Sequence, residues 1–267
     1  MSVPQPCRGD CVCFDAVGKC FRTPARGEVH ALCDVTLTCL PGEITCVLGP
    51  SGCGKTSLLR LAAGLASPTR GTVRVAGCPA GATNGSVTVG MVSQEGDLLP
   101  WYSVGQNIAL GLQVRGASRA RRQAQVEAML EKVGLDRSVA RSLPHELSGG
   151  MRQRVAIARA MAVDPQVLLM DEPFAGLDEP TRHRLQRQLV VLWRSHRRTL
   201  LFVTHSMEEA SYLADRIVVM TAGRVVAELT IDLPRPRDRM SDAFIARLLE
   251  VRKTFASCVD DAPELGL

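Results

Sequence analysis

The stretch LSGGMRQRV, at residues 147–155, decides how the rest of this sequence is interpreted. Downstream of it, VLLMDEP at residues 167–173 is an apolar run that delivers two adjacent carboxylates, Asp171 and Glu172. Upstream, GPSGCGKT at residues 49–56 fits the GxxxxGK[ST] pattern of a phosphate-binding loop. The glycine-rich loop predicts a nucleotide site, and the apolar run places Asp171 at the edge of a sheet, where ligands bind in folds of alternating strands and helices.

The surroundings of the glycine-rich loop have the context that such a loop requires. Residues 44–48 read as a short buried strand and residues 55–63 as a helix, so the loop connects a strand to a helix N-terminus. Further strands are predicted at residues 72–75, 87–92, 167–170, 200–203 and 217–220, and helical stretches at residues 104–134, 148–162, 181–193, 207–214 and 244–249. This alternation predicts an α/β fold whose mainly parallel sheet is covered on both faces.

The composition is that of an ordinary globular protein, with 46% hydrophobic and 22% charged residues in 267. No apolar run approaches the roughly 18 residues that suggest a membrane-spanning helix. The first ten residues lack the basic start and apolar stretch of a signal peptide, so we expect a cytosolic protein whose membrane contact comes through a partner. Arginine clusters at residues 119–122 and 194–198 contain few aromatics, and we expect solvated faces and no nucleic-acid partner.

Ten cysteines raise the question of a metal site. The N-terminal cysteines lack CxxC spacing and a second ligand pair, so we expect no zinc site there. The cysteines concerned are Cys7, Cys11, Cys13 and Cys20. Cys53 lies inside the glycine-rich loop, where the helix N-terminus is expected to favour its thiolate. We therefore expect alkylation of Cys53 to block nucleotide binding.

Taken together, the motifs resemble those of the ATP-binding subunit of an ABC (ATP-binding cassette) transporter, from about residue 14 to about residue 228. The resemblance implies a P-loop NTPase core with a mainly parallel sheet, an N-terminal antiparallel β part and an inserted α-helical subdomain. It divides the chain into residues 1–97, the first part of the core with the antiparallel β part; 98–162, the helical subdomain; 163–230, the second part of the core; and 231–267, a C-terminal tail.

The resemblance implies that the glycine-rich loop binds ATP. Lys55 would supply positive charge to the β- and γ-phosphates, and the Thr56 hydroxyl would bind Mg²⁺. The other loop residues expected to contact the nucleotide are Gly49, Pro50, Ser51, Gly52, Cys53, Gly54 and Ser57. Phe21 fits the aromatic residue that stacks on adenine, and it could equally be a core phenylalanine.

Four further residues match the catalytic positions of the family. Asp171 would hold Mg²⁺, and Gln94 would touch both Mg²⁺ and the attacking water. Glu172 would orient and deprotonate that water, a general-base role. His205, in VTHSMEEA, matches the switch histidine that contacts the γ-phosphate.

The resemblance also implies a dimer. Ser148, Gly149 and Gly150 would form a helix N-terminus aimed at the γ-phosphate held by a second copy of the chain, so that two ATPs join two copies. Asp178 lies in the loop through which one copy would sense the other. The further partners are transmembrane permease subunits and, through them, an extracytoplasmic solute-binding protein, which puts the chain on the cytoplasmic face of the membrane as a peripheral subunit.

Details outside these motifs resemble one branch of the family, the importers of nitrate, sulfonate and taurine. Met151 stands where many relatives have glutamine, LPW occurs at residues 99–101, FAGLDEPTR at residues 174–182 and PRPR at residues 234–237. The resemblance implies an importer of a small anionic solute, whose identity depends on the permease and the solute-binding protein.

The segment 96–111 is expected to form the groove that receives a cytoplasmic helix of the permease. Leu98, Leu99 and Trp101 would otherwise form an unexplained exposed apolar patch, with a core position as the alternative for Trp101.

Three other classes fit the sequence less well. An ABC ATPase of DNA repair would carry a long coiled coil before the LSGG motif, and no heptads run through that part of the chain. A translation factor of the family would hold two cassettes, and a kinase would lack both the LSGG helix and the switch histidine.

Overall fold

The structure, a computed structural model, describes residues 9, 11–23, 27–82, 87–94, 96–196 and 198–260. The chain divides into two compact units. The first contains Met1–Val87 together with Thr199–Leu267, and the second contains Thr88–Arg198.

The first unit holds eight strands and three helices among its described residues. In chain order they are β1 (Val12–Thr23), β2 (Gly27–Cys39), β3 (Ile44–Leu48), α1 (Lys55–Ala62), β4 (Arg70–Val75), β5 (Cys78–Pro79), then β8 (Thr199–Thr204), α6 (Met207–Leu213), β9 (Arg216–Thr221), β10 (Arg224–Thr230) and α7 (Asp242–Asp260). The labels β6, β7 and α2 to α5 belong to the second unit.

Two groups of strands organise the first unit. Strands β2, β1, β4 and β5 form an antiparallel sheet in that order. Strand β3 pairs in parallel with β8 on one side and with β9 on the other, and β10 joins β9 in antiparallel orientation. All five residues of β3 and all six of β8 are buried. Such continuous apolar runs are typical of strands covered on both faces.

The second unit is mainly helical. Its elements are β6 (Val89–Val92), α2 (Val104–Val114), α3 (Arg119–Lys132), α4 (Gly149–Ala162), β7 (Val167–Asp171) and α5 (Glu179–His196), with short 3₁₀ turns at Arg137–Arg141 and Pro144–Glu146. Strands β6 and β7 are parallel neighbours, with Val92 opposite Met170. Helix α4 begins after Ser148, whose hydroxyl accepts a hydrogen bond from the Met151 N–H, as an N-cap residue does.

The predicted fold class is confirmed, and the differences are local. The helical stretch at residues 104–134 is two helices, because Gly116 adopts a left-handed conformation (φ 72°) and Ser118 then caps a new helix. Strand β10 was not predicted, and the terminal helix, predicted at residues 244–249, runs over Asp242–Asp260. No helix among the described residues is both long enough and apolar enough to cross a membrane.

Candidate functional site

The glycine-rich loop joins β3 to α1, and two of its glycines are required by close packing. A Cβ at Gly49 would lie 2.4 Å from the Met220 carbonyl oxygen and 2.5 Å from the Cys53 sulfur. Gly54 adopts φ 104°, and a Cβ there would lie 2.3 Å from the carbonyl oxygen of Ala31. A side chain at either position would therefore force the loop backbone away from its neighbours.

Lys55 is the buried cation of this loop. Its side chain is 5% exposed, and its ammonium donates hydrogen bonds to the carbonyl oxygens of Gly49 at 2.8 Å and Pro50 at 2.9 Å. Carbonyl dipoles lower the cost of burying the charge without neutralising it. The loop thus holds a positive charge next to exposed Ser51, Gly52 and Thr56, the arrangement that a phosphate group requires.

His205 lies at the same edge of the sheet as the glycine-rich loop. Leu48, the last residue of β3, is paired with Thr204, the last residue of β8. The glycine-rich loop therefore starts directly after one strand end, and His205 directly follows the neighbouring one. The His205 side chain is exposed, as a residue that contacts a ligand must be. The first unit therefore brings together the loop and His205, as the sequence predicts.

Phe21 is a surface residue. It lies on β1 opposite Val29 of β2, its side chain is 40% exposed, and the Lys19 ammonium lies 4.9 Å from its ring centroid. An exposed ring that contacts a cation is available for stacking, and its exposure argues against the alternative of a core position.

The thiol of Cys53 has a raised pKa, whereas the sequence predicts a favoured thiolate. Its side chain is 4% exposed, and burial raises the pKa of its thiol above the ordinary value, although Lys55 opposes the rise. Desolvation of the thiolate outweighs the favourable field of the helix N-terminus, so the prediction of a favoured thiolate is wrong.

The second unit brings together a different set of predicted residues. Gln94 follows β6, and Asp171 and Glu172 lie at the end of β7, the strand next to β6. Asp171 is buried, Glu172 is half-buried and Gln94 is exposed. Because β6 and β7 are parallel, the three side chains lie at one edge of the pair, as the sequence predicts.

Glu172 has a backbone conformation that is unusual for glutamate. Its φ is 41°, in the left-handed region, and Pro173 follows it. A residue other than glycine in this region costs of order 1–3 kcal/mol, and such residues concentrate at functional sites. A turn begins at Glu172, directly after the buried carboxylate of Asp171, and the Glu172 carbonyl oxygen accepts a hydrogen bond from the Ala175 N–H at 3.1 Å.

The start of α4 packs against the first turn of α5. Ser148 and Gly149 are exposed, whereas a Cβ at Gly150 would lie 2.6 Å from Thr181 Cγ2. The Thr181 N–H donates to the Asp178 carboxylate at 3.1 Å, and hydrogen bonds from Thr181 lower the pKa of that carboxyl group. Asp178 therefore acts as an N-cap of α5, a role that its sequence context did not suggest.

Arg159, on α4, holds the segment that follows Gln94. Its guanidinium donates to the carbonyl oxygens of Gly96 at 2.8 Å and of Asp97 at 2.7 Å. Helix α4 therefore connects Ser148 at its start with this segment near its end. Nothing in the local sequence pattern distinguishes Arg159 from a solvated arginine, so the sequence did not predict this contact.

Asn107 organises the loop that carries Trp101. It is fully buried, and its side-chain oxygen accepts a hydrogen bond from the Leu99 N–H at 2.8 Å. Its NH₂ group donates to the carbonyl oxygens of Leu99, Tyr102 and Ser103 at 3.0–3.1 Å. Trp101 lies at the tip and is 70% exposed, so it is not a core residue.

The neighbouring leucines of this loop, Leu98 and Leu99, are half-buried rather than exposed. The expected apolar patch is therefore centred on the indole of Trp101.

Comparison with known proteins identifies the family of the chain. The chain matches the ABC transporter family over residues 32–175. An ABC transporter ATP-binding protein of Methanocaldococcus jannaschii is 44% identical over 88% of this chain and 86% of its own length. The aliphatic sulfonates import ATP-binding protein SsuB 2 of Burkholderia cenocepacia is 43% identical over 86% of this chain and 84% of its own. The nitrate import ATP-binding protein NrtD of Synechococcus elongatus is 44% identical, with 84% and 83% covered.

Solved structures share the fold. The dimeric post-hydrolysis state of an ATP-binding cassette, bound to ADP and Pi, superposes with a TM-score of 0.76 at 30% identity, and the match covers 84% of this chain and all of that one. A dimeric bacterial ABC transporter cassette gives the same TM-score at 28% identity, with the same coverage.

The burial of Cys53 leads to a testable prediction. Since a raised pKa shifts the onset of thiolate formation to higher pH, iodoacetamide should modify Cys53 slowly at pH 7 and faster as the pH rises. ATP should protect the residue further. Mass spectrometry of the modified peptide measures the rate, with half-buried Cys33 as the internal reference. Modification of Cys53 as fast as that of Cys33 at pH 7 would contradict the prediction.

Proposed function

Because the chain belongs to the ABC transporter family and is an ATP-hydrolysing, ATP-binding subunit, we propose that it powers an importer of a small anionic solute. The proposal rests on one observation above all. Relatives that are 43–44% identical over more than four-fifths of this chain are named as import subunits for aliphatic sulfonates and for nitrate. The solute is therefore proposed to be nitrate, a sulfonate or a taurine-like compound.

The glycine-rich loop is proposed to hold the phosphates of ATP. Its chemistry fits, because Lys55 is a buried cation whose hydrogen-bond partners in the loop, the carbonyl oxygens of Gly49 and Pro50, carry no formal negative charge. Thr56, exposed at the first turn of α1, is proposed as a ligand of Mg²⁺. Phe21 is proposed to stack on the adenine ring.

Hydrolysis is proposed to depend on the residues at the ends of β7, β6 and β8. Mg²⁺, when bound, would neutralise phosphate charge, and the Asp171 carboxylate and the Gln94 amide have the oxygen donors that it prefers. Glu172 takes the proton of the attacking water, because its half-buried carboxylate directly follows Asp171 at the end of β7. His205 contacts the γ-phosphate.

ATP binding is proposed to join two copies of the chain. The exposed first turn of α4, at Ser148 and Gly149, has N–H groups and a helix dipole suited to a phosphate held by the second copy. Asp178, which caps α5 beside this turn, is proposed to face the second copy. Support comes from the two dimeric cassette structures, one of which contains ADP and Pi.

The loop of Trp101 is proposed to receive a cytoplasmic helix of the permease, which would make the chain a peripheral subunit on the cytoplasmic face of the membrane. A tryptophan that is 70% exposed on a loop fixed by a buried asparagine is typical of a binding surface. The solute-binding protein is proposed to act through the permease, without contact to this chain.

The mechanism predicts a dimer that ATP traps. Glu172→Gln keeps the shape of the side chain but cannot accept a proton, so it should bind ATP and lower kcat by about 10²–10⁴-fold. With ATP the variant should elute as a dimer in size-exclusion chromatography with light scattering, and without nucleotide as a monomer. Adding Ser148→Arg should restore the monomer, because a bulky cation would block the second phosphate loop.

Lys55→Ala in the same background is the matched control, since it should abolish ATP binding and with it the dimer. A Glu172→Gln protein that hydrolyses ATP at the parent rate would remove Glu172 from the mechanism. Retention of the dimer in the Ser148→Arg variant would argue against the proposed role of α4.

Trp101→Ala is predicted to separate ATP hydrolysis from transport. The variant should keep the parent's affinity for ATP while solute uptake by the transporter reconstituted with its permease falls at least about tenfold, as expected for loss of a central aromatic contact worth about 2 kcal/mol. Val191→Ala, at a similarly exposed position on α5, serves as the control. Uptake by Trp101→Ala equal to that of Val191→Ala would contradict the docking role.

A further inference from the structure

Cys20, Glu28 and His30 come together on the β1–β2 hairpin. Cys20 is paired directly with His30 and Arg22 with Glu28, and side chains opposite each other or two residues apart on such a pair share one face. The Cys20 sulfur, an imidazole nitrogen of His30 and a carboxylate oxygen of Glu28 lie within 4.8 Å of one another. Phe21 and Val29, the intervening pair, belong to the opposite face.

We propose that these three side chains bind a divalent transition-metal ion, with zinc as the reference metal. Thiolate, imidazole and carboxylate are all ligands of zinc, at about 2.0–2.3 Å. Three protein ligands and one water complete a tetrahedral site, and small side-chain rotations bring donors less than 4.8 Å apart into that geometry.

The charges around the cluster are consistent with a bound dication. A thiolate and a carboxylate contribute two negative charges, and binding releases the thiol proton. The one cation paired with the cluster among the described residues is Arg22, whose Nε lies 2.9 Å from the Glu28 carboxylate. That ion pair is exposed and worth little, so a metal ion readily competes with it, and the second carboxylate oxygen remains available.

The test uses the full chain, reduced and freed of metal, titrated with Zn²⁺ against a chromophoric chelator. One Zn²⁺ per chain should bind, and Cys20→Ser and His30→Gln should each weaken binding by more than about tenfold, since even loss of a group that only orients a ligand costs that much. Cys33→Ser, a change of the half-buried cysteine on β2, is the matched control and should leave the affinity unchanged. Bound Co²⁺ should give a thiolate charge-transfer band that disappears in Cys20→Ser.

Three results would overturn the site. They are no stoichiometric Zn²⁺ in the parent, equal affinity in the parent and the His30→Gln variant, or a charge-transfer band that persists in Cys20→Ser.

A separate cluster, the arginine clamp formed by Arg235, Arg237 and Arg239, holds helix α6. Arg237 is 7% exposed, and its Nη1 donates to the carbonyl oxygens of Ser211 at 2.9 Å, Tyr212 at 3.1 Å and Ala214 at 2.6 Å. These carbonyls lie at the C-terminal end of α6, where helix carbonyls lack intrahelical partners and the dipole favours a cation. Desolvation lowers the pKa of Arg237 to about 10, so the guanidinium stays charged at neutral pH.

The other two arginines extend the clamp along the helix. Arg239 pairs with Glu208 in the first turn of α6 at 2.9 Å, and its guanidinium carbon lies 3.4 Å from the ring centroid of Tyr212. Arg235 contacts the carboxylate of Asp215 and the carbonyl oxygen of Leu213.

Helix α6 in turn fixes the residues on both sides of His205. The Thr204 hydroxyl donates to the buried carboxylate of Glu209 at 2.7 Å, and the Ser206 N–H donates to the Thr204 hydroxyl at 3.0 Å. The Ser206 hydroxyl caps α6 by accepting from the Glu209 N–H at 3.3 Å. Any shift of α6 therefore moves the backbone of His205.

We propose that the arginine clamp is a positioning device for His205, a proposal that rests on the role assigned to His205 above. Through it, a segment of the chain far from the glycine-rich loop in sequence would control the orientation of a residue at the γ-phosphate. Arg237 and Arg239 are positioning residues in this sense and touch no reacting atom.

A double-mutant cycle tests the clamp. Arg239→Leu should lower kcat by about tenfold to a hundredfold with little change in KM for ATP, since a displacement of about 1 Å has effects of that size. In a His205→Ala background the same change should have no further effect. Arg247→Leu, which removes an exposed ion pair with Glu250 on α7, is the control and should leave kcat unchanged.

The outcomes separate the two proposals. A His205→Ala protein with the parent's kcat would refute the role of His205 itself. If His205→Ala does lower kcat, the test depends on the effect of Arg239→Leu on kcat in the parent and in the His205→Ala protein. An equal effect in both proteins, or no effect in either, would refute the proposal that the arginine clamp positions His205. The Arg237→Lys variant gives a second measurement. Because an ammonium group cannot span the same carbonyl oxygens, this variant should shift the NMR resonances of the His205 imidazole.

Discussion

Burial of the Lys55 ammonium is the constraint on which the glycine-rich loop of the first unit depends. The ammonium group of a lysine that is 5% exposed needs oxygen partners, and it obtains them from the carbonyls of its own loop. The loop can fold back in this way because Gly49 and Gly54 permit contacts that a Cβ would prevent. The same loop carries exposed Ser51 and Gly52 beside the buried cation, so the condition that accommodates the cation also suits the binding of an anion.

Each unit is organised around the carboxyl ends of parallel strands. The side chains at these strand ends have opposite chemistry in the two units. In the first unit the ends of β3 and β8 carry a cationic loop and an imidazole. In the second, the ends of β6 and β7 carry two carboxylates and an amide. Under the proposed mechanism, the first edge would serve the phosphates and the second would serve a metal ion and a water.

The sequence predicted features that depend on local patterns and missed those that depend on distant partners. Strand β3, and the helix from Ser148 to Ala162, were predicted closely, because a buried β-branched run and an N-cap are local signals. The thiolate at Cys53 was predicted from the helix N-terminus alone, whereas its burial depends on how the loop packs. Likewise, Cys20 faces His30 only through the pairing of β1 with β2, and CxxC spacing cannot reveal a ligand that lies across a strand pair.

The buried amide of Asn107 also has a thermodynamic consequence for association. Ordering a loop at an interface costs conformational entropy, at about 0.5–1.5 kcal/mol for each side chain that becomes immobilised, and this cost reduces affinity. In this chain the backbone on both sides of Trp101 is already fixed by the Asn107 amide when the domain folds. A partner that docks on the indole, as proposed above, would therefore need to order little more of this backbone.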